Sequence, residues 1–473
     1  MTGRRRLRPA AFAAALLVCS FLLMFAGDGL RSSFDADNMR ELYVAWSLSA
    51  VDLVHHYRPL GAIVFRAMFA LFGLNPLPYH LLSFTLLLAN VGLLYRFSAA
   101  LSKSRETALL ACLLGAYHAH LGDLYYSAST LYDLLCCLFV LLAFTGYVRI
   151  RQAGRYPTWR ENGVLLALYG CALASKEIAV VTPVFVALYE CINFSGKQRS
   201  FAGVRSWLRH GTGFLCFGTL ITIAYVVMKM VGEHAMSANP DYAPHLSLHV
   251  YFAGWKHYLD ELFYGAVRFN TRRIVLLFLL MLGFAGLTRR RELLFAWCVI
   301  MTGVLPFIFI EPRGLYVMYL TLPGWYLYAA ATLTSIRDFL LRMVGRLVRP
   351  MEVRHAQLAL FLVVAALLIP LHRREKPVGQ AWFAADQRTV RSVLEGLAAS
   401  PGPLPPKAKV LFVSDPYDAD DYILYFMFAL HYRDKQIQVD RVKIQPALAD
   451  PAARAGYDRV FTLDNQGLHE VAR

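Results

Sequence analysis

Continuous apolar blocks recur along most of this chain of 473 residues, and they limit what it can fold into. A bilayer offers the backbone no water, so chains cross it as helices of about 20 apolar residues or as closed barrels of alternating strands. The blocks here are continuous, and only 17% of the residues are charged. The sequence therefore predicts an α-helical polytopic membrane protein. The predicted spans lie near 10–27, 78–95, 107–119, 126–148, 163–174, 178–194, 211–231, 274–288, 292–310, 314–335 and 356–371.

Lysine and arginine are divided unevenly between the two sides of this predicted bundle of about eleven helices. Loops on the N-terminal side contain 23 of the 48 basic residues but only 6 of the 32 acidic ones, beginning with Arg4, Arg5, Arg6 and Arg8. Because cytoplasmic loops are enriched in Lys and Arg, we expect that side to be the cytoplasm and the first block to be a retained helix. Topology then accounts for the net charge of +16, and no nucleic-acid partner is expected.

The last hundred residues differ in character from the rest. A helical pattern at 386–398 and a proline-rich stretch precede apolar or alternating runs at 409–414, 436–444 and 459–463, with an amphipathic segment at 418–432. This order is typical of a small soluble α/β domain. We therefore expect a transmembrane domain over 1–372 and a small extracytoplasmic domain over 375–473.

Two of the predicted outer loops are long, at 28–77 and 232–273. They contain amphipathic stretches at 39–54, 59–72 and 245–267, which are typical of helices lying in the membrane interface. Two such loops over a bundle predict a cavity at the outer surface, where a lipid-linked substrate meets a water-borne one.

Acidic residues in the outer loops are the candidates for catalysis. Asp35 and Asp37 stand two residues apart in the first loop, a spacing compatible with a divalent metal or with one general base. The alternative is a solvated turn that caps the helix starting near Met39. Asp123 follows in a short outer loop at the membrane boundary, where acids are costly and usually functional. Its alternative is an exposed loop acid beside the headgroups. Asp133 lies deeper, and its alternative is an acid paired inside the bundle.

Several short motifs occur in a fixed order and resemble those of the transmembrane O-mannosyltransferase-like proteins. These proteins are members of the GT-C class of polytopic glycosyltransferases. The motifs are Tyr57-Arg58-Pro59-Leu60, Gly73-Leu74-Asn75-Pro76, Tyr79-His80, His118-Ala119 with Asp123 and Asp133, and Ala174-Ser175-Lys176-Glu177 with Pro183.

This resemblance implies a GT-C-like bundle and transfer of a sugar from a polyprenyl-phosphate donor to a hydroxyl of a protein or glycan acceptor. It puts Asp37 at the position of the essential acid in the first outer loop, with Asp35 secondary and Asp123 as the second-loop acid. A divalent cation, if one takes part, would bind Asp37 and Asp123. The sequence lacks the repeat array of the animal members and has Ala119 where proline is usual, so the acceptor stays open.

The same resemblance suggests which residues neutralise the leaving phosphate. Arg58, Lys176 with Glu177, and Arg313 with Tyr316 lie on the predicted outer side, and guanidinium forks match phosphate oxygens. Each has an alternative role. Arg58 would anchor its loop to headgroups, Lys176 and Glu177 would pair with each other, and Arg313 would extend to the headgroup region.

Two other classes of protein share this composition. A secondary transporter would carry ionisable residues near the midplane and show related halves, whereas the acids here gather at the outer boundary. A lipid-linked glycan polymerase or ligase would have similar spans and loops, and it differs in using a diphosphate-linked glycan. We expect a glycosyltransferase of the cytoplasmic (inner) membrane of a bacterium, with its site facing the periplasm or exterior.

Overall fold

The computed structural model of the chain describes residues 9–55, 57–193, 201–231, 242–344, 353–400, 402–464 and 466–471. The arginines predicted to hold the N-terminus in the cytoplasm, Arg4 to Arg8, and part of the second long outer loop, 232–241, lie outside the described residues. The described chain is mostly helical.

The helices follow one another with short connections. The first nine are α1 (Pro9–Ala26), α2 (Ala36–Ser47), α3 (Ala50–His55), α4 (Pro59–Phe72), α5 (Pro76–Ser102), α6 (Arg105–Gly115), α7 (Gly122–Tyr126), α8 (Leu131–Gln152) and α9 (Trp159–Ser175). The next ten are α10 (Thr182–Asn193), α11 (Phe201–His210), α12 (Gly213–Met230), α13 (Leu248–Leu262), α14 (Thr271–Thr288), α15 (Arg291–Gly303), α16 (Leu322–Val344), α17 (Val353–Ala399), α18 (Ile423–Tyr432) and α19 (Pro451–Arg454).

Each of the eleven apolar blocks overlaps one of these helices, so the prediction of a polytopic helical protein is confirmed. Among the described residues, five helices are long and apolar enough to cross a membrane by length and composition, or six if a bent pair counts as one span. The five are Pro76–Ser102, Ala128–Gln152, Gly213–Met230, Thr271–Thr288 and His355–Ala399, and the pair is Ala15–Arg31 with Ala36–Ser47. The count of about eleven spans stays a prediction.

The chain forms two compact units, each assembled from separate stretches of sequence. The bundle unit comprises Met1–Gly27, Phe84–Leu121 and Thr130–Pro377. The loop unit comprises Asp28–Ser83, Gly122–Ser129 and Val378–Arg473. The predicted division at 372–375 stays a prediction.

Aromatic rings and small residues hold the helices of the bundle unit together. The Phe144 ring of α8 stacks on the Phe295 ring of α15, with the ring centres 5.3 Å apart. At Gly324 in α16, an added Cβ would lie 3.1 Å from the carbonyl oxygen of Ala296 in α15. Glycine therefore permits a close approach of α15 and α16, as small residues do in membrane bundles.

The first outer loop forms the helical layer of the loop unit. The apolar positions Met39, Leu42 and Ala45 recur every three residues, so they make one buried face of α2. Arg66 of α4 donates a hydrogen bond of 2.5 Å to the carbonyl oxygen of Leu48 just after α2. The helices predicted at 39–54, 59–72 and 245–267 are present as α2 with α3, α4 and α13; their position at a membrane interface stays a prediction.

The last part of the loop unit contains a four-stranded sheet in the order β2-β1-β3-β4. Its strands are β1 (Lys409–Ser414), β2 (Gln438–Arg441), β3 (Arg459–Asp464) and β4 (Gly467–Glu470). β1 pairs in parallel with β2 and β3, and β4 runs antiparallel to β3. The buried rings of Phe412, Phe428 and Phe461 pack between the sheet and α18.

Two local features differ from the sequence-based expectation. The predicted span at 356–371 and the helical pattern at 386–398 belong to one helix, α17, which contains Pro370 and Pro377. A proline inside a helix removes one backbone hydrogen bond and bends it without necessarily ending it. The strand β4 was absent from the prediction because its four residues carry no clear alternation.

Candidate active site

Asp35 is the N-cap of α2, in the link where the chain enters that helix. Its carboxylate accepts a hydrogen bond of 2.8 Å from the backbone amide of Asn38, the usual geometry of an aspartate cap. The Asn38 side chain also contacts this carboxylate and donates a 2.8 Å hydrogen bond to the Ser127 hydroxyl. Asp35 therefore caps the helix, but the cap is buried and not the solvated turn of the alternative, and the helix begins at Ala36, three residues earlier than expected.

Burial changes the acidity of Asp35, which lies outside the apolar helices. The residue is 4% exposed. Desolvation raises its pKa to about 7, the hydrogen bonds from Ser127 and Asn38 oppose this rise, and the charges of Asp37 and Asp386 add to it. The carboxyl group of Asp35 is therefore easier to protonate than that of an ordinary aspartate.

Asp37 lies in the first turn of α2 and is exposed. The acids at 35 and 37 therefore face different surroundings, because residues two apart at a helix start point in different directions. The backbone amide of Ala36 donates a 2.8 Å hydrogen bond to Asp386 of α17. Asp386 was not among the predicted site residues, and 350 residues of sequence separate it from Ala36, so no local pattern indicates this contact.

The other predicted residues of the loop unit are Asp123 and Arg58. Asp123 lies in the first turn of α7 and is half-buried. Arg58 is half-buried just before α4, and its guanidinium lies over the Tyr57 ring, 4.7 Å from the ring centre.

In the bundle unit, Lys176 lies at the break between α9 and α10, in extended backbone that follows Ser175. Its ammonium group is 2.5 Å from a carboxylate oxygen of Asp133 in the first turn of α8, and both side chains are buried. The buried-pair alternative for Asp133 is therefore confirmed. Lys176 therefore pairs with Asp133 and not with Glu177, which was the alternative expected for it. Glu177 is half-buried at the start of a 3-10 helix over Glu177–Val181.

Tyr316 brings the two predicted phosphate-binding cations of the bundle unit to one side chain. The Lys176 ammonium lies 4.9 Å from the centre of the Tyr316 ring. Desolvation lowers the pKa of the Arg313 guanidinium, but its interactions with Tyr242 and Tyr316 outweigh this effect, so the pKa is raised. Two cations separated by 137 positions in the sequence therefore share one aromatic side chain.

Arg313 is held by residues that were not among the predicted site. Its guanidinium lies over the Tyr242 ring, 4.2 Å from the ring centre, and donates a 3.1 Å hydrogen bond to the Tyr242 hydroxyl. The His257 ring nitrogen Nε2 is 2.9 Å from the backbone oxygen of Arg313. Because these partners come from the second long outer loop and α13, only the fold brings them to Arg313.

The predicted site residues thus form two sets. Lys176, Glu177, Arg313 and Tyr316 belong to the bundle unit, and Asp35, Asp37, Arg58 and Asp123 belong to the loop unit. Among the described residues, no group of three or more His, Cys, Asp and Glu side chains is arranged to hold a metal ion. Cation binding by Asp37 and Asp123 stays a prediction.

The chain resembles curated proteins over part of its length. It is 30% identical over 163 residues to Protein O-mannosyl-transferase TMTC1 of Mus musculus, covering 32% of this chain and 17% of that protein. It is 32% identical over 142 residues to Protein O-mannosyl-transferase TMTC2 of Mus musculus, covering 29% and 17%. The chain therefore matches about a sixth of the length of these relatives. No family model matches it.

A solved structure extends the likeness to nearly the whole chain at the level of the fold. The apo oligosaccharyltransferase of Archaeoglobus fulgidus superposes with a TM-score of 0.50 at 9% identity, covering 91% of this chain and 64% of that one. The similar proteins are glycosyltransferases of the GT-C type, as the ordered motifs predicted. In sequence and in fold, the chain resembles the polytopic GT-C glycosyltransferases.

Proposed function

We propose that this protein transfers a sugar from a polyprenyl-phosphate donor to a hydroxyl group of a protein or glycan acceptor. The observation that carries the proposal is the meeting of Lys176 and Arg313 at Tyr316 within the bundle unit. Lys176 belongs to one of the ordered motifs that resemble those of the O-mannosyltransferases.

The cations have the chemistry that a phosphate leaving group requires. As the bond between the sugar carbon and the phosphate oxygen breaks, negative charge collects on the departing polyprenyl phosphate. An ammonium and a guanidinium stabilise that charge, and they do so more strongly where water is scarce. Lys176 is buried in its pair with Asp133, and Arg313 is half-buried beside Tyr242 and Tyr316.

We assign the acid–base role to Asp37. In the transfer, the acceptor oxygen forms the new bond to the sugar, and its proton passes to a carboxylate. Asp37 is exposed and therefore accessible to a hydroxyl, whereas the carboxylate of Asp35 is occupied as a helix cap. Asp123 is the second candidate acid, and a divalent cation held by Asp37 and Asp123 is the alternative way to activate the hydroxyl.

Arg58 is assigned to the donor phosphate in the same proposal, with headgroup anchoring as its alternative.

We further propose a bundle of about eleven spans with a C-terminal α/β domain, located in the cytoplasmic membrane of a bacterium with the site outside. The mannosyl character of the transferred sugar is part of the proposal, since the relatives are named for it.

The test is a transfer assay with purified protein in lipid vesicles and a radiolabelled polyprenyl-phosphate sugar. We expect release of free polyprenyl phosphate that depends on added acceptor. Turnover with only a diphosphate-linked oligosaccharide would support a polymerase or ligase instead. Uptake of a solute without any release of lipid phosphate would support a transporter.

A further inference from the structure

The loop unit contains a cavity of about 310 Å³, and none of the residues assigned above to the proposed reaction lines it. Its volume is at the lower end of the range of roughly 300–1,000 Å³ that small-molecule sites occupy. It therefore suits one sugar ring with its substituents better than an oligosaccharide.

One face of α17 forms a wall of this cavity. Gln380, Phe383, Gln387 and Arg391 line it, at spacings of three or four residues that align side chains along one stripe of a helix. Ala384 lies in the same stripe, and its small side chain leaves space between the larger ones. This part of α17 follows the apolar stretch and is rich in polar residues.

Two arginine residues line the cavity from different elements. Arg31 comes from the 3-10 turn that follows α1, and Arg391 comes from α17. Neither makes an ion pair with an acid in the part of the chain that the structure describes, and both residues are exposed. Two unpaired cations at one cavity attract an oxyanion, which a guanidinium binds through two parallel hydrogen bonds.

The remaining lining suits a hydroxylated ring. The rings of Phe383 and Tyr126 lie with centres 5.9 Å apart and form an apolar surface. The Gln387 amide donates a 2.7 Å hydrogen bond to the Tyr126 backbone oxygen, which holds Gln387 in place and leaves its own oxygen as an acceptor. Asp28 contacts the Gln380 amide and adds further acceptor oxygens.

We propose that this cavity binds a sugar that carries an oxyanion, either a carboxylate or a phosphate. Arg31 and Arg391 bind the oxyanion, the aromatic surface contacts the ring, and the amide and carboxylate oxygens accept hydrogen bonds from its hydroxyls.

The cavity adjoins the acidic end of α2 within the same unit. Ser127, which follows the lining residue Tyr126, bonds to Asn38 of α2. Asp386, which precedes the lining residue Gln387, bonds to the first amide of α2. The bound sugar is therefore suited to be part of the acceptor, and this acceptor role, unlike the binding itself, rests on the proposed transfer reaction.

The test measures binding without turnover. Full-length protein in nanodiscs of phosphatidylcholine is titrated with glucuronate, glucose 6-phosphate, glucose and inorganic phosphate, using ligand-detected NMR. We expect glucuronate and glucose 6-phosphate to bind at least about tenfold more tightly than glucose or inorganic phosphate. Glucose lacks the oxyanion, and inorganic phosphate lacks the sugar ring. Arg31→Gln with Arg391→Gln is expected to abolish this difference.

The matched control is Arg388→Gln, since Arg388 is an exposed arginine on the same helix that does not line the cavity. Equal loss of binding in Arg388→Gln and Arg391→Gln would overturn the proposal, as would equal binding of glucose and glucuronate. If phosphatidylglycerol in the nanodisc displaces the sugars and phosphate alone binds as well as glucose 6-phosphate, the cavity is a lipid-headgroup site and the proposal is wrong. Sugar binding without any transfer activity would support the cavity and contradict only its acceptor role and the proposed function.

Discussion

Asp37 and Asp35 are two residues apart, but they differ in exposure and therefore in what they are able to do. Asp37→Asn keeps the size of the side chain and removes its ability to take a proton. We expect the transfer rate to fall by about 10²- to 10⁴-fold, the usual contribution of a general base. The assay is donor turnover at matched protein levels, with Asp35→Asn as the control that retains most activity. Loss of activity in the control alone would move the catalytic role to Asp35.

The raised pKa of Asp35 predicts a pH-dependent stability. The buried carboxyl group is favoured in its protonated form, with a pKa of about 7 when folded and an ordinary value of 3.8. The preference for the protonated form therefore adds fully to the free energy of unfolding below about pH 4, and this contribution is lost as the pH rises through about 7. Asp35→Asn imitates the protonated acid, so its melting temperature should fall less than that of the wild type between pH 5 and 8. Identical slopes in melting experiments would contradict this assignment.

Variants of the Lys176–Asp133 pair distinguish a structural role of Lys176 from a catalytic one. Lys176→Met leaves a buried carboxylate without its ammonium partner, and breaking such a pair costs about 3–5 kcal/mol of stability. Lys176→Met combined with Asp133→Leu removes both charges, so we expect most of that stability to return. If Lys176 also binds the donor phosphate, the double variant melts normally and stays inactive. A stable double variant with normal turnover would show that the pair is only structural.

At the scale of the elements, α18 holds α2 through aromatic contacts within the loop unit. The Tyr43 ring of α2 stacks on the Phe426 ring with centres 4.8 Å apart, and its hydroxyl lies 2.8 Å from that of Tyr425. Just after α18, Lys435 donates a 2.9 Å hydrogen bond to the Ser47 carbonyl oxygen at the end of α2. The C-terminal segment therefore supports the helix that carries Asp35 and Asp37.

This contact predicts that Phe426→Ala loosens α2 from a distance. An aromatic pair stabilises by about 0.5–1.5 kcal/mol beyond the area it buries, so hydrogen exchange at residues 36–47 should accelerate several-fold. Tyr422→Ala is the matched control, because Tyr422 precedes the same helix and is 67% exposed. Equal exchange in the two variants would mean that α18 does not support α2.

At the scale of the whole molecule, the distribution of charge predicts the orientation in the membrane. The loops on the N-terminal side hold 23 basic residues and 6 acidic ones, so they are expected in the cytoplasm. Reporter fusions after residue 200 and at the C-terminus should therefore report opposite sides, with alkaline phosphatase active only at the C-terminus. Both reporters on one side would show that the number of spans between residue 200 and the C-terminus is even, and would contradict the predicted topology.

Local sequence determines much of this protein. Every span predicted from a continuous apolar block overlaps a helix of the structure. The strand β1 coincides with the apolar run predicted at 409–414. The resemblance to the O-mannosyltransferases likewise depends on short motifs, which are local and ordered. These features are readable because each depends on neighbours within one helix or strand.

Only the tertiary structure decided which side chains meet. The pairing of Lys176 with Asp133, of Arg313 with Tyr242, and of Ala36 with Asp386 joins residues 43, 71 and 350 positions apart. Hydropathy and periodicity report the environment of a segment and carry no information about its partner in another segment. The same limit explains why the sequence does not show that Asp35, the secondary candidate acid, is buried as the cap of α2 whereas Asp37 is exposed.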